Sequence, residues 1–380
     1  MNTLHATNCS RNRLPVRGIA VARVPDRLRY AGLRLGLEIM SLPGIARRAA
    51  PVTGGMGAIL TLHHVRPPRP GAFQPNAILE IAPSFLDALL TRLARAGIEF
   101  VTLAEAVRRI GEGRSARRFV CFTADDGYRD NRDFAQPLFA RHGVPWTLFV
   151  ATAFADGTGE LWWLALEAVI AAQEAIEVDL GAGVERLDCR TAAGKRAAYG
   201  TIYWHLRSLD EPALRAFVRA LAGRYGVDPA GFCPALCMDW SELAAVAADP
   251  LVTIGAHTVT HPRLATLPRE QAVAEMRDSR AIIEARLGIR PSAFAYPVGD
   301  PTSAGIREFA LAEELGFDAA VTTRPGVLTP ACAVALQALP RISLNGLFQK
   351  PRYVEALISG LPFARIRGSR AGNRPSPSSG

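Results

Sequence analysis

The sequence predicts an α/β fold in which parallel strands alternate with helices. Short apolar runs, such as Phe119 to Thr123 and Trp146 to Ala151, have the length and composition of buried strands. Other stretches, such as Pro83 to Ala96 and Arg269 to Leu287, show helical spacing of apolar residues. This alternation favours a parallel sheet or barrel with helices outside it. In such folds functional side chains gather in the loops that follow the strands.

Composition indicates an ordinary globular chain. Of the 380 residues, 49% are hydrophobic and 21% are charged, which excludes a mainly disordered, collagen-like or disulfide-scaffold protein. No apolar run reaches the roughly 18 residues of a membrane-spanning helix, and the first 23 residues lack the apolar centre of a secretory signal. We therefore expect a cytoplasmic protein. Among the six scattered cysteines only Cys233 and Cys237 lie close together, which is a weak indication of zinc binding.

The chain divides into three predicted parts. Residues 1–54 combine a basic leader with a short amphipathic helix at 27–42, and residues 364–380 have the composition of a disordered tail. The domain between them covers residues 55–363. At about 156–238 the alternation of strands and helices is interrupted by an alanine-rich, mostly helical pattern, which predicts a helical insertion.

The net charge of +9 lies at the two ends of the chain. Residues 1–50 contain nine arginines against Asp26 and Glu38, and four more arginines follow Phe363. The central part is nearly neutral, so the sequence predicts no nucleic-acid partner. Two interpretations of the basic N-terminal segment stay open: a solvated segment, or one with a weak attraction to an anionic membrane surface.

Two adjacent carboxylates follow a predicted strand. Asp125 and Asp126 come directly after the Phe119–Thr123 run and precede Gly127. Two carboxylates this close repel each other, which raises the pKa of one of the two carboxyl groups unless a cation lies between them. A bound metal ion would supply that cation, whereas a solvated Asp-Asp-Gly turn is the alternative for this segment alone.

Two histidines follow another predicted strand. His257 and His261 are four residues apart, so on a helical turn both imidazoles would lie on one face and chelate one ion. Two imidazoles together with Asp126 are a common composition for a catalytic metal site that keeps one position open. A third loop after a strand, Phe294 to Gly299, offers backbone N–H groups for an oxyanion.

The segments TADDGYRDN, HTVTH and FAYPVGD, in this order, resemble the motifs of the polysaccharide deacetylases of carbohydrate esterase family 4, the NodB homology domain. The resemblance covers roughly residues 55–345 without the insertion, and it implies a distorted (β/α) barrel of about seven strands. It implies hydrolysis of N-acetyl groups on N-acetylglucosamine-type residues of a polysaccharide or oligosaccharide, with a divalent metal, usually zinc. By the same resemblance Asp125 is the general base, the backbone N–H of Tyr296 serves the oxyanion, and the metal ligands are Asp126, His257 and His261.

The chain departs from the family pattern at two places. Ala124 stands where the family usually has Phe, and the late Leu-x-His segment that supplies the general acid has no match in Leu339–Leu344. In the circularly permuted branch of the family the acid comes instead from an N-terminal strand of the form YHxV. The segment Leu62–Val65 resembles that strand and matches His63 to the acid, with His64 the less favoured of the pair.

Two other functions stay open at this point. A non-catalytic glycan-binding relative would be consistent with Ala124 and the missing late histidine, and the same machinery could deacylate a small non-glycan amide. Three tryptophans in the insertion would stack on sugar rings in a glycan enzyme, but packing inside an alanine-rich helical insertion is the favoured explanation of Trp162, Trp163 and Trp204.

Overall fold

The computed structural model describes residues 26–364. The predicted basic leader, apart from its last residue, and nearly all of the predicted tail therefore lie outside the described residues. The strands are β1 Gly57–Leu62, β2 His64–Val65, β3 Glu80–Ile81, β4 Glu99–Phe100, β5 Phe119–Ala124, β6 Trp146–Val150, β7 Ala175–Asp179, β8 Val184–Asp188, β9 Val252–Ala256, β10 Ala293–Ala295, β11 Ala319–Val321 and β12 Ile342–Ser343.

The α-helices surround these strands, and a π-helical turn at Asn131–Ala135 leads into the fifth of them. The helices are α1 Asp26–Met40, α2 Ile45–Thr53, α3 Pro83–Arg95, α4 Leu103–Glu112, α5 Gln136–His142, α6 Thr152–Ala155, α7 Trp162–Ala172, α8 Ala192–Ser208, α9 Glu211–Arg224, α10 Phe232–Leu236, α11 Trp240–Ala247, α12 Arg269–Leu287, α13 Ile306–Glu314 and α14 Pro351–Ile358. Among the described residues no helix combines the length and apolar character needed to cross a bilayer.

Seven strands form a curled parallel sheet in the order β11-β10-β9-β6-β5-β1-β12, and β4 adds to the free part of β5. The segment around β12 connects the two ends of this sheet. Leu339 exchanges backbone hydrogen bonds with Ala320 and Thr322 beside β11, while β12 pairs with β1 and the N–H of Leu344 donates to Thr61. The predicted (β/α) barrel with about seven strands is thereby confirmed.

Side chains of the barrel strands alternate between two apolar clusters, as the pleat of a strand requires. In β5, Val120 and Phe122 pack under the outer helices. Cys121 of the same strand packs instead with Ile59 and Phe149 of the neighbouring strands. Every residue of β5 is buried, so a continuous apolar run is the expected sequence pattern of a strand covered on both faces.

Most predicted elements are present, and the differences have local causes. The sequence pattern also predicts helices near residues 132–141 and 303–315. The first becomes regular α-helix only at Gln136, because the π-helical turn occupies its start. The second begins at Ile306, because the Asp300 carboxylate accepts hydrogen bonds from Thr302 and Ser303 and holds a turn there.

The segment predicted as a helical insertion lies between β6 and β9, and it is not all helical. Helices α7 to α10 enclose a separate apolar cluster together with the antiparallel hairpin β7–β8. The turn of this hairpin is closed by Asp179, whose carboxylate accepts the N–H groups of Gly181 and Gly183. Both glycines have left-handed φ angles of 98° and 102°, which other residues rarely adopt.

Candidate active site

The predicted site residues meet at the carboxyl ends of the barrel strands. Asp125 and Asp126 follow β5, His257 follows β9, and His63 follows β1. Parallel pairing of β1 with β5, and of β5 with β6 and β6 with β9, brings these ends to one edge. Chemistry at this edge is the usual arrangement in parallel α/β folds.

Asp126 lies between the two predicted histidine ligands. Its Oδ1 is 3.4 Å from His257 Nε2 and 3.2 Å from His261 Nε2. Within residues 26–364 these three form the one group of at least three His, Cys, Asp or Glu side chains that could hold a metal ion, with ligand atoms all within 4.8 Å of one another. The cysteine pair contributes nothing to it, and Cys233 and Cys237 are buried free thiols.

The donor set of this group fits a divalent metal. Oδ1 of Asp126 is buried and makes no hydrogen bond with the described residues, which is unfavourable for a carboxylate oxygen unless a ligand binds it. Nδ1 of His257 lies 2.7 Å from the carbonyl oxygen of Ala295 and donates to it, so Nε2 is left with a free lone pair. Burial raises the pKa of Asp126, but the imidazoles of His261 and His257 outweigh burial and hold that pKa well below its usual value.

The HTVTH segment is a loop, so the expected helical turn is wrong. Thr258 and His261 have positive φ angles of 67° and 59°, which breaks any helix there. The carboxylate of Glu275 on α12 accepts the backbone N–H groups of Val259 and Thr260 and holds the loop in place. The two imidazoles converge because of this loop geometry, with ring centroids 4.9 Å apart.

Asp125 forms a buried ion pair that the sequence analysis missed. Both guanidinium nitrogens Nη1 and Nη2 of Arg341 donate to its carboxylate at 2.7 Å, and both side chains are almost fully buried. Burial raises the pKa of Asp125, but the charge and hydrogen bonds of Arg341, with the imidazole of His257, bring the pKa below its usual value. The carboxylate that the family resemblance names as general base is therefore ionised at neutral pH.

Arg341 lies in the segment where the late histidine of the family was sought. The sequence contains a single arginine inside the apolar run Leu339–Leu344. A buried arginine requires a buried acceptor, so this residue could have indicated a buried ion pair. Its remaining donors are satisfied by Thr61, Thr123 and the carbonyl of Thr322. The contacts orient the guanidinium so that both of its ends face Asp125.

The two neighbouring histidines point to different partners. Nε2 of His63 is 3.9 Å from Oδ2 of Asp125, and 17% of the His63 side chain is exposed. Burial lowers the pKa of His63, and the charges of Asp126 and Asp125 offset only part of this effect. His64 instead bonds through Nδ1 to Asp130 at 2.6 Å and stacks on Tyr128, with ring centroids 3.6 Å apart. His63 is thus the histidine that faces the predicted base.

The start of the helix after the Asp pair holds His63 in place. Nδ2 of Asn131, in the π-helical turn, donates to the carbonyl oxygen of His63 at 2.7 Å. Asp130 accepts the backbone N–H of Val65 at 3.2 Å as well as the His64 bond. Single π-helical turns are often found at functional sites, and here the turn directs two polar side chains back toward the end of β1.

The N–H of Tyr296 is not free for an oxyanion, contrary to the expectation from the resemblance. It donates to the carbonyl of Val321 at 3.2 Å as part of the pairing of β10 with β11. In the same loop Pro297 has no N–H, and among the described contacts the N–H of Val298 has no acceptor. Val298 has a φ angle of 60°, which is a strained conformation for a β-branched residue.

The insertion covers one side of the site. The rings of Phe154 and Trp163 lie 5.5 and 5.4 Å from the ring of His261, centroid to centroid. Trp162 and Trp163 are both 8% exposed and pack in the insertion, whereas Trp204 is 47% exposed. Asn76 donates to the carbonyl of Trp163, which ties the insertion to the loop between β2 and β3.

We expect Arg341→Met to lower the free energy of unfolding at neutral pH by about 3–5 kcal/mol, because it leaves the buried carboxylate of Asp125 unpaired. Without Arg341, burial raises the pKa of Asp125, so the variant's deficit should shrink as the pH falls toward about 4 and the carboxyl takes up a proton. Urea denaturation at several pH values measures both effects.

Arg108→Met is the matched control, since the pairs of Arg108 with Glu105 and Glu112 are on the surface of α4. It should change stability by no more than about 1 kcal/mol. Adding Asp125→Asn to Arg341→Met should recover part of the loss. A deficit that is small and independent of pH would contradict the ion pair.

Comparison with known proteins agrees with this geometry. The family model for polysaccharide deacetylase matches residues 192–320. The Streptococcus pyogenes deacetylase PplD, solved in complex with acetate, is 18% identical, with 79% of this chain and 97% of that chain covered and a TM-score of 0.53. IcaB from Ammonifex degensii is 18% identical, with 81% and 98% covered and a TM-score of 0.51. No curated protein matches the chain.

The two solved structures show that the fold is shared, and the family model covers His257, His261 and the loop with Val298. Residues 192–320 are similar to the polysaccharide deacetylase family, a family of hydrolases.

Proposed function

We propose that the protein is a metal-dependent N-deacetylase that removes N-acetyl groups from N-acetylglucosamine-type residues of a polysaccharide or oligosaccharide. The observation that carries this proposal is the arrangement of Asp125. It is ionised beside Arg341, adjacent in sequence to the ligand set around Asp126, and 3.9 Å from the imidazole of His63.

Asp126, His257 and His261 would hold the metal ion. Two imidazoles and one carboxylate that leave a coordination position open are typical of catalytic zinc, and we propose zinc on that ground. When bound, the ion would supply Lewis-acid polarisation of the acetamide carbonyl.

Asp125 acts as the general base. It accepts a proton from a water molecule whose oxygen forms the new bond to the acetamide carbon. Arg341 fixes both carboxylate oxygens by its two hydrogen bonds, so the acceptor keeps one orientation during the reaction.

The N–H of Val298 is the backbone donor that we assign to the developing oxyanion, in place of Tyr296. The strained backbone at Val298 is set before substrate binds, so no reorganisation is needed when charge appears on the carbonyl oxygen. The proton taken up by Asp125 passes to the imidazole of His63, 3.9 Å away, and His63 delivers it to the nitrogen as the C–N bond breaks, which releases acetic acid and the free amino sugar. The presence of acetate in the structure of PplD supports this reaction class for the fold relative.

The proposal is tested by acetate release from N-acetylglucosamine oligomers with zinc-loaded protein. We expect turnover with the wild type, and a loss of at least about 10²-fold with Asp125→Asn, because the base is removed. Zinc content, measured by inductively coupled plasma mass spectrometry, should stay stoichiometric in Asp125→Asn and fall in His257→Ala.

Stoichiometric zinc in the wild type without turnover on any N-acetylated glycan would contradict the proposal. That result would favour the non-catalytic glycan-binding alternative. Turnover only on small non-glycan amides would retain the chemistry and replace the substrate class.

The role of His63 predicts a dependence on the leaving group. With N-acetylglucosamine oligomers, His63→Ala should lower kcat by about 10²-fold or more, because the amine leaves only after protonation. With 4-nitrophenyl acetate, whose phenolate leaves unprotonated, His63→Ala should retain most of its rate. Initial rates on both substrates measure the difference.

His64→Ala is the matched control, because His64 bonds to Asp130 and not to the site. It should lower stability and show no selective loss on the amide substrate. Equal losses on both substrates in His63→Ala would contradict the assignment of His63 as the acid.

A further inference from the structure

Exposed apolar side chains are concentrated on the two N-terminal helices. Leu33, Leu35, Ile39, Leu42 and Val52 are 49%, 63%, 52%, 54% and 84% exposed. They make up five of the eleven large apolar side chains that are exposed in the described part of the chain. A cluster of this kind marks an interaction surface more often than single exposed residues do.

The apolar residues of α1 form a stripe on the side away from the barrel. Leu35 and Ile39 are four residues apart on α1 and share one of its faces, and Leu42 follows in the turn after the helix, which ends at Met40. The opposite side is attached to the protein, where Leu37 is 8% exposed. Helix α1 therefore has a fixed inner side, and its apolar outer side is exposed within residues 26–364.

The charges around the stripe are basic. Arg34, Arg47 and Arg48 are exposed on α1 and α2. Glu38 of α1 is already paired with Lys350, Arg352 and the hydroxyl of Tyr353. Those contacts hold the pKa of Glu38 at about 2, so the carboxylate stays ionised, and its charge is compensated by the two cations.

We infer that α1 and α2 form a docking surface for an anionic phospholipid bilayer. Leu35, Ile39 and Leu42 enter the boundary between headgroups and acyl chains, and Arg34, Arg47 and Arg48 lie at the level of the phosphates. An apolar stripe bordered by arginines is the pattern of helices that lie in the membrane interface.

A second copy of the chain fits this surface less well. In a twofold dimer the same patch faces itself, so the three arginines of one copy would approach those of the other. Repulsion between like charges at an interface opposes association. A bilayer with anionic lipids offers the apolar layer and the negative charge together.

The test is co-sedimentation of the full chain with vesicles. One set contains phosphatidylcholine only, and the other contains equal amounts of phosphatidylcholine and phosphatidylglycerol. The wild type should bind the anionic set and bind it less at high salt. The triple variant Leu35→Ser, Ile39→Ser, Leu42→Ser should bind at least about tenfold more weakly, because it removes the inserted apolar surface.

Two further variants separate the contributions of charge and of apolar side chains to vesicle binding. Arg47→Gln with Arg48→Gln should weaken binding to anionic vesicles only. Ile306→Ser with Val334→Ser is the matched control, since these residues are 88% and 93% exposed elsewhere on the surface. Their replacement should leave binding to both vesicle sets unchanged. Circular dichroism of each variant verifies that it is folded.

Three results would overturn the inference. The first is an absence of wild-type binding to anionic vesicles. The second is equal binding by the wild type and the triple serine variant, which would assign any attraction to charge alone. The third is a wild-type dimer in light scattering that the triple variant converts to a monomer without a change in vesicle binding.

Discussion

The buried ion pair between Arg341 and Asp125 is the interaction on which the site depends. A guanidinium and a carboxylate removed from water destabilise the fold unless their geometry and remaining hydrogen bonds compensate for lost hydration. Arg341 meets that requirement by donating to Thr61 on β1, Thr123 on β5 and the carbonyl after β11. One side chain therefore connects the strands at which the barrel closes and fixes the orientation of the carboxylate at its centre.

The two adjacent carboxylates have different surroundings. Asp125 continues the inward alternation of β5 and meets Arg341, whereas Asp126 adopts a left-handed φ of 72° and turns toward the two imidazoles. Each carboxylate has its own cationic or ligand partner, so the repulsion expected for an Asp-Asp pair is relieved without sharing a proton. In the proposed function, a single peptide bond therefore separates the proton acceptor from the metal ligand.

The sequence predicted the parts of the site whose chemistry is local. Asp125, Asp126, His257 and His261 stand in short motifs after apolar runs, so their convergence followed from the parallel topology. Arg341 could not be assigned in this way, because its partner is 216 residues away and its own segment contains no motif. Tyr296 was predicted as the backbone donor for a related reason, because only the pairing of β10 with β11 shows that its N–H is used. The N–H of Val298, in the same loop, has no acceptor among the described residues.

We propose that Asp125 serves as base and Asp126 as metal ligand. Anomalous diffraction at the zinc edge, from crystals of the zinc-loaded protein, tests this division most directly. We expect one zinc ion within about 2.0–2.2 Å of an Asp126 oxygen and of Nε2 of His257 and His261, with Asp125 still paired to Arg341. A zinc ion bound elsewhere, or bound to an Asp125 that has left Arg341, would contradict it.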